Sequence, residues 1–169
     1  MNEVIIASII ATLAITLACL SAFSGPDLIE VTSHHVVDGD SVTLWTPKHY
    51  YTRLKGIDAP ELGQLYGPMS KVMLEEVLKG KELVVEFHGK DIYNREVVTL
   101  YGKTPWGKVN INEILVEAGA AFVYRQYVGD LSSKRQVNLD KAEEEAKKYK
   151  RGVWGAYASQ QRPWDYRHK

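Results

Sequence analysis

A strand-like pattern ends at Gly56, and charged residues lie on both sides of that end: Arg53 before it, Asp58 and Glu61 after it. In a regular strand Arg53 and Asp58, an odd number of residues apart, point to opposite faces. They can share a site only if the chain bends between them, and a glycine is the residue that permits a bulge or bend. This stretch therefore predicts a kinked strand end with one cation and two acids grouped around it.

Two further motifs supply the remaining groups of a phosphodiester-cleaving site: Asp38-Gly39-Asp40-Ser41 upstream and Asp91-Ile92-Tyr93-Asn94-Arg95 downstream. Carboxylates and backbone carbonyls suit a hard cation such as Ca²⁺, which makes Asp40, Asp58 and the Ala59 carbonyl the candidate ligands. Guanidinium groups hold phosphate through two parallel donors, which suits Arg53 and Arg95. Glu61 is then left to activate water.

Each motif has an ordinary structural reading when taken alone. Asp-Gly-Asp is a common hairpin turn, and residues 58–61 resemble a helix start because proline and acids favour first helical turns. Arg95 in isolation is typical of a solvated arginine on an edge strand. The residues by themselves leave these alternatives open.

Alternating apolar residues and glycine or proline breaks predict a single α+β domain with five short strands and about three helices. One helix begins near Gly67, a second is capped by Asn112, and a charged third spans residues 137–149. Residues 102–107 are predicted to form a turn. This pattern favours a five-stranded OB-fold β-barrel, a small architecture that often holds oligonucleotides.

Composition narrows the class of protein only slightly. The 169 residues fit one domain, and 21 basic residues balance 21 acidic ones, so net charge gives no argument for a nucleic-acid partner. The single cysteine, Cys19, excludes an internal disulfide framework and a cysteine-based zinc site.

The N-terminal residues 4–23 carry no charged side chain and are about as long as a membrane-spanning helix. They predict an apolar helix that acts as an anchor, or as a signal peptide cleaved near Ser24, and hence an extracytoplasmic location. The predicted organisation is this segment at 1–24, a folded domain at 25–155 and a C-terminal tail at 156–169.

The ordered set of motifs resembles the staphylococcal nuclease (thermonuclease) family. The matching stretches lie in the same order along the chain, at residues 36–42, 53–61, 91–95, 109–110, 115–116, 119–120, 141–143 and 152–154. The resemblance implies an OB-fold barrel with three helices. It also implies a monomeric Ca²⁺-dependent nuclease that hydrolyses DNA and RNA and leaves 3′-phosphates.

The resemblance also assigns roles to individual residues. It implies that Asp40, Asp58 and the Ala59 carbonyl bind calcium and that Arg53, Glu61 and Arg95 are catalytic. It further implies that Tyr93 and Tyr124 contact nucleotide.

The chain departs from the family pattern at three of these motifs. Asn94 replaces a common glycine, Ile92 replaces a phosphate-binding lysine, and Ala59 replaces a threonine found in some members. Asparagine tolerates the left-handed conformation that the turn at Asn94 would need. The alternatives to an enzyme are a barrel that binds single-stranded nucleic acid without cutting it, and a surface domain that serves only protein interaction.

Overall fold

The computed structural model describes residues 27–168, which form an α+β domain. The strands are β1 (Ile29–Val31), β2 (Ser33–Val36), β3 (Ser41–Trp45), β4 (His49–Leu54), β5 (Ile57–Asp58), β6 (Leu83–Lys90), β7 (Glu96–Thr104), β8 (Gly107–Asn110) and β9 (Phe122–Val123). The helices are α1 (Gly67–Leu78), α2 (Ile111–Glu117), α3 (Ser133–Lys148) and the one-turn α4 (Pro163–Tyr166), with 3₁₀ turns at Val128–Asp130 and Gly152–Trp154.

The main sheet has seven strands and is not closed into a barrel, so the prediction of a five-stranded barrel is wrong in strand count and in closure. Hydrogen-bonded neighbours follow the order β1-β6-β7-β4-β3-β2, with β8 added on β7, while β5 and β9 form a separate pair. The two end strands of this order, β1 and β2, follow one another in the chain with only Thr32 between them. Among the described residues, no hydrogen-bonded ladder joins these two strands.

A hairpin accounts for part of the difference in strand count. The predicted turn at residues 102–107 is a continuation of β7 into Thr104, followed by a return strand that pairs Gly102 with Val109. Gly102 is not a break in the strand, because it pairs with Val109 within the β7–β8 ladder. A glycine inside a strand gives the same sequence signal as a glycine in a turn.

The core lies between the sheet and the three longer helices. Apolar side chains of α1, α2 and α3 are fully or nearly fully buried and pack with those of the sheet in one cluster; examples are Leu74, Leu78, Ile111, Leu115, Leu139, Val42, Leu54, Val85, Val98 and Leu100. Burial of this surface is the main force that holds the strand ends and helices in fixed positions.

The prediction that Asn112 caps α2 is wrong by two residues. The cap is Asn110, whose side-chain oxygen accepts hydrogen bonds from the amides of Asn112 and Glu113. Asn112 is buried and makes long-range bonds instead: its Oδ1 accepts from the Leu100 amide at 3.2 Å, and its Nδ2 donates to the Lys55 carbonyl at 3.0 Å. It thereby ties α2 to the residue that precedes the bend at Gly56.

Helix α3 begins at Ser133, four residues before the predicted start. Its first turn is polar, so apolar periodicity could not reveal it.

The N-terminal segment lies outside the described residues, and its prediction as a signal peptide or anchor stays a prediction. Within residues 27–168, no helix has the length and apolar character needed to cross a bilayer.

Substituting Asn112 should destabilise the fold more than substituting the true cap. Asn112→Ala leaves the buried Leu100 amide and the Lys55 carbonyl without the partner they have in the wild type, which should lower the free energy of unfolding by about 2–4 kcal/mol. Asn110→Ala should cost about 1 kcal/mol, the typical value for loss of a cap. Urea denaturation of the two variants measures the difference, and the reverse order would show that Asn112 acts as the cap.

Candidate active site

The chain bends sharply at Gly56, and the bend brings Arg53 to Asp58. Gly56 has φ +78°, a conformation that side-chain-bearing residues rarely adopt. Its carbonyl accepts a hydrogen bond from the Tyr124 amide at 2.9 Å, which fixes the bend against the chain after β9. The Arg53 guanidinium then donates from Nη2 to Asp58 Oδ1 at 2.6 Å. The kink that the sequence requires is therefore present.

Asp40 joins this pair from the turn between β2 and β3. Its backbone carbonyl accepts from the Leu54 amide at 2.8 Å, and its Oδ2 accepts from the Ala59 amide at 2.5 Å. The same carboxylate forms an ion pair with Nη1 of Arg53. Arg53 thus lies between two acids that come from different parts of the chain.

Gly39 permits this close approach of the turn to Ala59. A Cβ on Gly39 would lie 2.6 Å from the Ala59 Cβ and 2.7 Å from the Ser70 Cβ. Both distances are shorter than real carbon contacts allow, so the Asp-Gly-Asp turn needs its glycine for packing as well as for turning. The motif that is ambiguous in the sequence is here a structural part of the site.

The site is largely removed from solvent, which strengthens the electrostatic interactions between its charged groups. The side chains of Asp40, Asp58 and Arg53 are 8%, 0% and 13% exposed. Burial lowers the pKa of Arg53, Asp58 raises it, and the positive charges of Arg95 and Arg167 lower it further. An arginine starts so far above neutrality that it stays charged, and the buried acids therefore face a permanent cation.

The donor set fits a hard divalent cation. Two carboxylates, Asp40 and Asp58, meet at Arg53, and carboxylate oxygens are donors that calcium prefers. No cluster of three or more His, Cys, Asp or Glu among residues 27–168 is arranged to hold a metal, so a cation here would have to rely on these two acids together with backbone oxygens or water.

Glu61 lies at the same edge and is linked to Asp58 through Arg167. Nη1 of Arg167 donates to Glu61 Oε1 at 2.7 Å and to Asp58 Oδ1 at 3.0 Å, while Nη2 donates to Asp58 Oδ2 at 3.1 Å. Glu61 is one-third exposed, so its carboxylate is open to water. The structure therefore brings four of the predicted polar groups together, Asp40, Arg53, Asp58 and Glu61.

Arg167, which belongs to the C-terminal segment (residues 160–168), is a residue of this site that the sequence did not predict. Burial lowers its pKa, but hydrogen bonds and charges from Asp58 and Glu61 outweigh that effect and raise it. The available signal was Pro163, which favours a first helical turn, followed directly by an aromatic residue. Periodicity could not show where so short a helix would pack.

Arg95 lies on a neighbouring strand end and is not in contact with the two acids. Arg95 directly precedes β7, whose Val97 pairs with Arg53 in the parallel β4–β7 ladder, so the two arginines lie on adjacent segments of the chain. Nε of Arg95 donates to Asp91 Oδ2 at 2.8 Å. The guanidinium is close enough to influence Arg53 and is held by an acid of its own loop.

The loop at residues 91–95 is a closed turn with an exposed aromatic residue. Asp91 Oδ1 accepts from the amides of Tyr93 and Arg95 at 2.9 and 3.0 Å, and these bonds help hold the pKa of Asp91 below its usual range despite the opposing effect of burial. Asn94 has φ +63°, which confirms that asparagine serves the left-handed position. Tyr93 is 74% exposed beside Arg95, 5.4 Å from ring centroid to guanidinium carbon.

Tyr124 directly follows β9, next to the bend. Its ring packs with that of Tyr127 at 5.1 Å between centroids and stacks on Trp164 at 5.9 Å with an interplanar angle of 16°. Tyr124 is partly buried under these neighbours. Trp164 is a second residue of the C-terminal segment that sequence reasoning missed.

Comparison with known proteins agrees with this arrangement of motifs. The family model described as staphylococcal nuclease homologue matches residues 51–156. An uncharacterized endonuclease of Escherichia coli O157:H7 is 37% identical over 135 residues, which cover 79% of this chain and 82% of that protein.

Two further relatives match the same part of the chain. A micrococcal nuclease of Shigella flexneri is 30% identical over 138 residues, covering 78% of this chain and 76% of that protein. A probable staphylococcal-like nuclease of Oryza sativa subsp. japonica is 33% identical over 120 residues, covering 71% of this chain and 33% of that protein. The chain belongs to the staphylococcal nuclease family.

Proposed function

We propose that this protein is a Ca²⁺-dependent, sugar-nonspecific nuclease that hydrolyses phosphodiester bonds in DNA and RNA and leaves 3′-phosphates. The observation that carries the proposal is the placement of Arg53 between two buried acids, Asp40 and Asp58, with Glu61 at the same edge. A domain that only binds nucleic acid has no evident need for a buried pair of acids beside an exposed carboxylate.

The proposed roles follow from charge and exposure. Attack on a phosphodiester adds negative charge to its non-bridging oxygens, and a fixed cation in a site shielded from water stabilises that charge strongly. Arg53 is such a cation, and Arg95 supplies a second from the adjacent strand end. Glu61 is the exposed carboxylate able to take a proton from an attacking water.

Asp40 and Asp58, with the Ala59 carbonyl, would hold the calcium ion. When bound, calcium supplies a Lewis acid that polarises the phosphate and lowers the pKa of nearby water. Three protein ligands leave most of the 6–8 positions of Ca²⁺ to water and substrate, which implies weak binding. Weak calcium sites fill at roughly millimolar concentrations, as in extracellular modules, and this agrees with the proposed extracytoplasmic location.

Tyr93 and Tyr124 are the proposed nucleotide contacts. Stacking of a base on an aromatic ring contributes about 1–3 kcal/mol and does not depend on sequence, as a nonspecific nuclease requires. Tyr93 is exposed beside Arg95, so one base and its phosphate could be bound together.

We propose that residues 4–23 anchor the protein, or direct its export before cleavage near Ser24, and that the enzyme acts as a monomer.

The direct test is incubation of the full chain with plasmid DNA and with RNA, in Ca²⁺ or in EDTA. We expect cutting of both substrates in calcium, complete loss of cutting in EDTA, and 3′-phosphate ends. Cutting that persists in EDTA would contradict the calcium requirement. Binding to single strands without cutting would support the non-catalytic alternative, and neither binding nor cutting would support an interaction domain.

Replacing Arg53 by lysine should separate catalysis from folding. Lysine keeps the charge between Asp40 and Asp58 but loses the two-pronged guanidinium, so turnover should fall about 10²–10³-fold. The melting temperature should change far less, as measured by calorimetry. Arg151→Lys, which alters an exposed arginine bonded to Glu117, is the matched control. A comparable loss of folding would identify Arg53 as structural.

Glu61→Gln should slow cutting without abolishing calcium binding. The amide cannot accept a proton from water, and general-base assistance typically contributes 10²–10⁴-fold, so turnover should fall by about that factor. Calcium affinity, measured by isothermal titration calorimetry, should not fall below that of Glu76→Gln, an exposed control on α1. Unchanged turnover would remove Glu61 from the role of base.

A further inference from the structure

The C-terminal segment, residues 160–168, covers the edge of the candidate active site. We propose that this segment competes with both metal and substrate. Arg167 occupies the place of a metal ion, and Trp164 covers the ring of Tyr124, the predicted nucleotide contact. The inference rests on the proposed function, because it assigns metal binding to Asp58 and catalysis to Glu61.

Arg167 bonds to Asp58 and Glu61 in the way that a metal cation would. Both of its terminal nitrogens donate to the two oxygens of Asp58, at 3.0 and 3.1 Å, and Nη1 also donates to Glu61 at 2.7 Å. The two-pronged arrangement is the strong geometry for a guanidinium and a carboxylate. Asp58 is fully buried, so its oxygens have little access to other partners while Arg167 is present.

Asp58 already has one permanent counter-charge in Arg53, so Arg167 adds a second positive charge. A divalent cation bound at Asp58 would have to share that carboxylate with Arg167, and like charges this close repel. Arg53 is buried within the domain, whereas Arg167 is one-third exposed. Arg167 is therefore the group that can leave when a metal ion arrives.

Trp164 covers the second functional surface. Its ring stacks on Tyr124 with an interplanar angle of 16°, the geometry that a nucleobase would use on the same ring. It also meets Phe122 edge-on at 6.1 Å between centroids. Arg167 and Trp164 are three residues apart, so one helical turn places both groups over the site at once.

The segment is attached to the domain by further contacts, including packing of Trp164 against the cluster of Tyr66, Phe122 and Val153. The Gln161 carbonyl accepts from Gln64 Nε2 at 2.7 Å, and the Arg162 guanidinium lies over the rings of Phe122 and Trp154 at 4.3 and 4.6 Å. Docking also has a cost: both side-chain polar atoms of Gln160 are buried without a hydrogen-bond partner within the described part of the chain. Release into water would satisfy them.

Competition of this kind must be reciprocal. If Arg167 weakens metal binding by some factor, metal binding weakens docking of the segment by the same factor, and such couplings are typically about 5–150-fold. Removing the guanidinium should therefore tighten calcium binding by a factor in this range. Trp164→Ala removes a contact that holds the segment in place, so it should also tighten calcium binding, although it alters neither carboxylate.

The test measures calcium affinity of the full chain by isothermal titration calorimetry in wild type, Arg167→Ala and Trp164→Ala, with Arg151→Ala as control. Hydrogen exchange measured by mass spectrometry follows the segment, with α3 as internal reference. We expect calcium to bind about tenfold more tightly, or tighter still, to Arg167→Ala than to the wild type. The increase in calcium affinity should be smaller in Trp164→Ala and absent in the control. Saturating calcium should make residues 160–168 of the wild type exchange faster.

Equal calcium affinity in wild type and Arg167→Ala, or unchanged protection of the segment in saturating calcium, would overturn the proposal. Absence of calcium binding in both proteins would overturn it too, since Arg167 would then not be what keeps the metal out. Lower turnover of Arg167→Ala at saturating calcium would overturn it as well, since Arg167 would then assist the reaction and not compete with its ligands. Failure of the wild type to cut in calcium is a separate result that counts against the proposed function.

Discussion

The ion pairs of Arg53 with Asp40 and Asp58 are the interaction on which the site depends. They join the β2–β3 turn, the end of β4 and the chain after the Gly56 bend. Two carboxylates this close and this buried would repel each other strongly without a cation between them. Arg53 offsets that repulsion, so the fold can hold two buried acids close together.

Contacts around these ion pairs explain how the charged groups are held in position. Asn112 bonds the Lys55 carbonyl before the bend, and Tyr124 bonds the Gly56 carbonyl at the bend itself. Gly39 lets the turn that carries Asp40 pack directly on Ala59. Rigid elements thus position the charged groups, while Tyr93 and Glu61 remain open to solvent at the edge.

Local motifs were predictable from sequence, and distant contacts were not. The kink at Gly56, the left-handed Asn94 and the grouping of Asp40, Arg53 and Asp58 follow from residues whose chemistry and spacing restrict the chain. Arg167 reaches Asp58 across 109 positions, and α4 is too short to show a period. Gly102 and Asn112 were misassigned because each is a residue type that usually marks a turn or a cap, whereas Gly102 lies inside a strand ladder and Asn112 makes long-range bonds.

The central proposal is that Asp40 and Asp58 hold calcium, that Arg53 binds the phosphate, and that the C-terminal segment competes with both ligands. A crystal structure of the full chain with Ca²⁺ and a nucleoside bisphosphate tests it most directly. The account predicts calcium at Asp40 and Asp58, Arg53 on the phosphate, and Arg167 displaced from Asp58. Calcium bound elsewhere, or Arg53 and Arg167 still paired with Asp58 beneath a bound nucleotide, would contradict it.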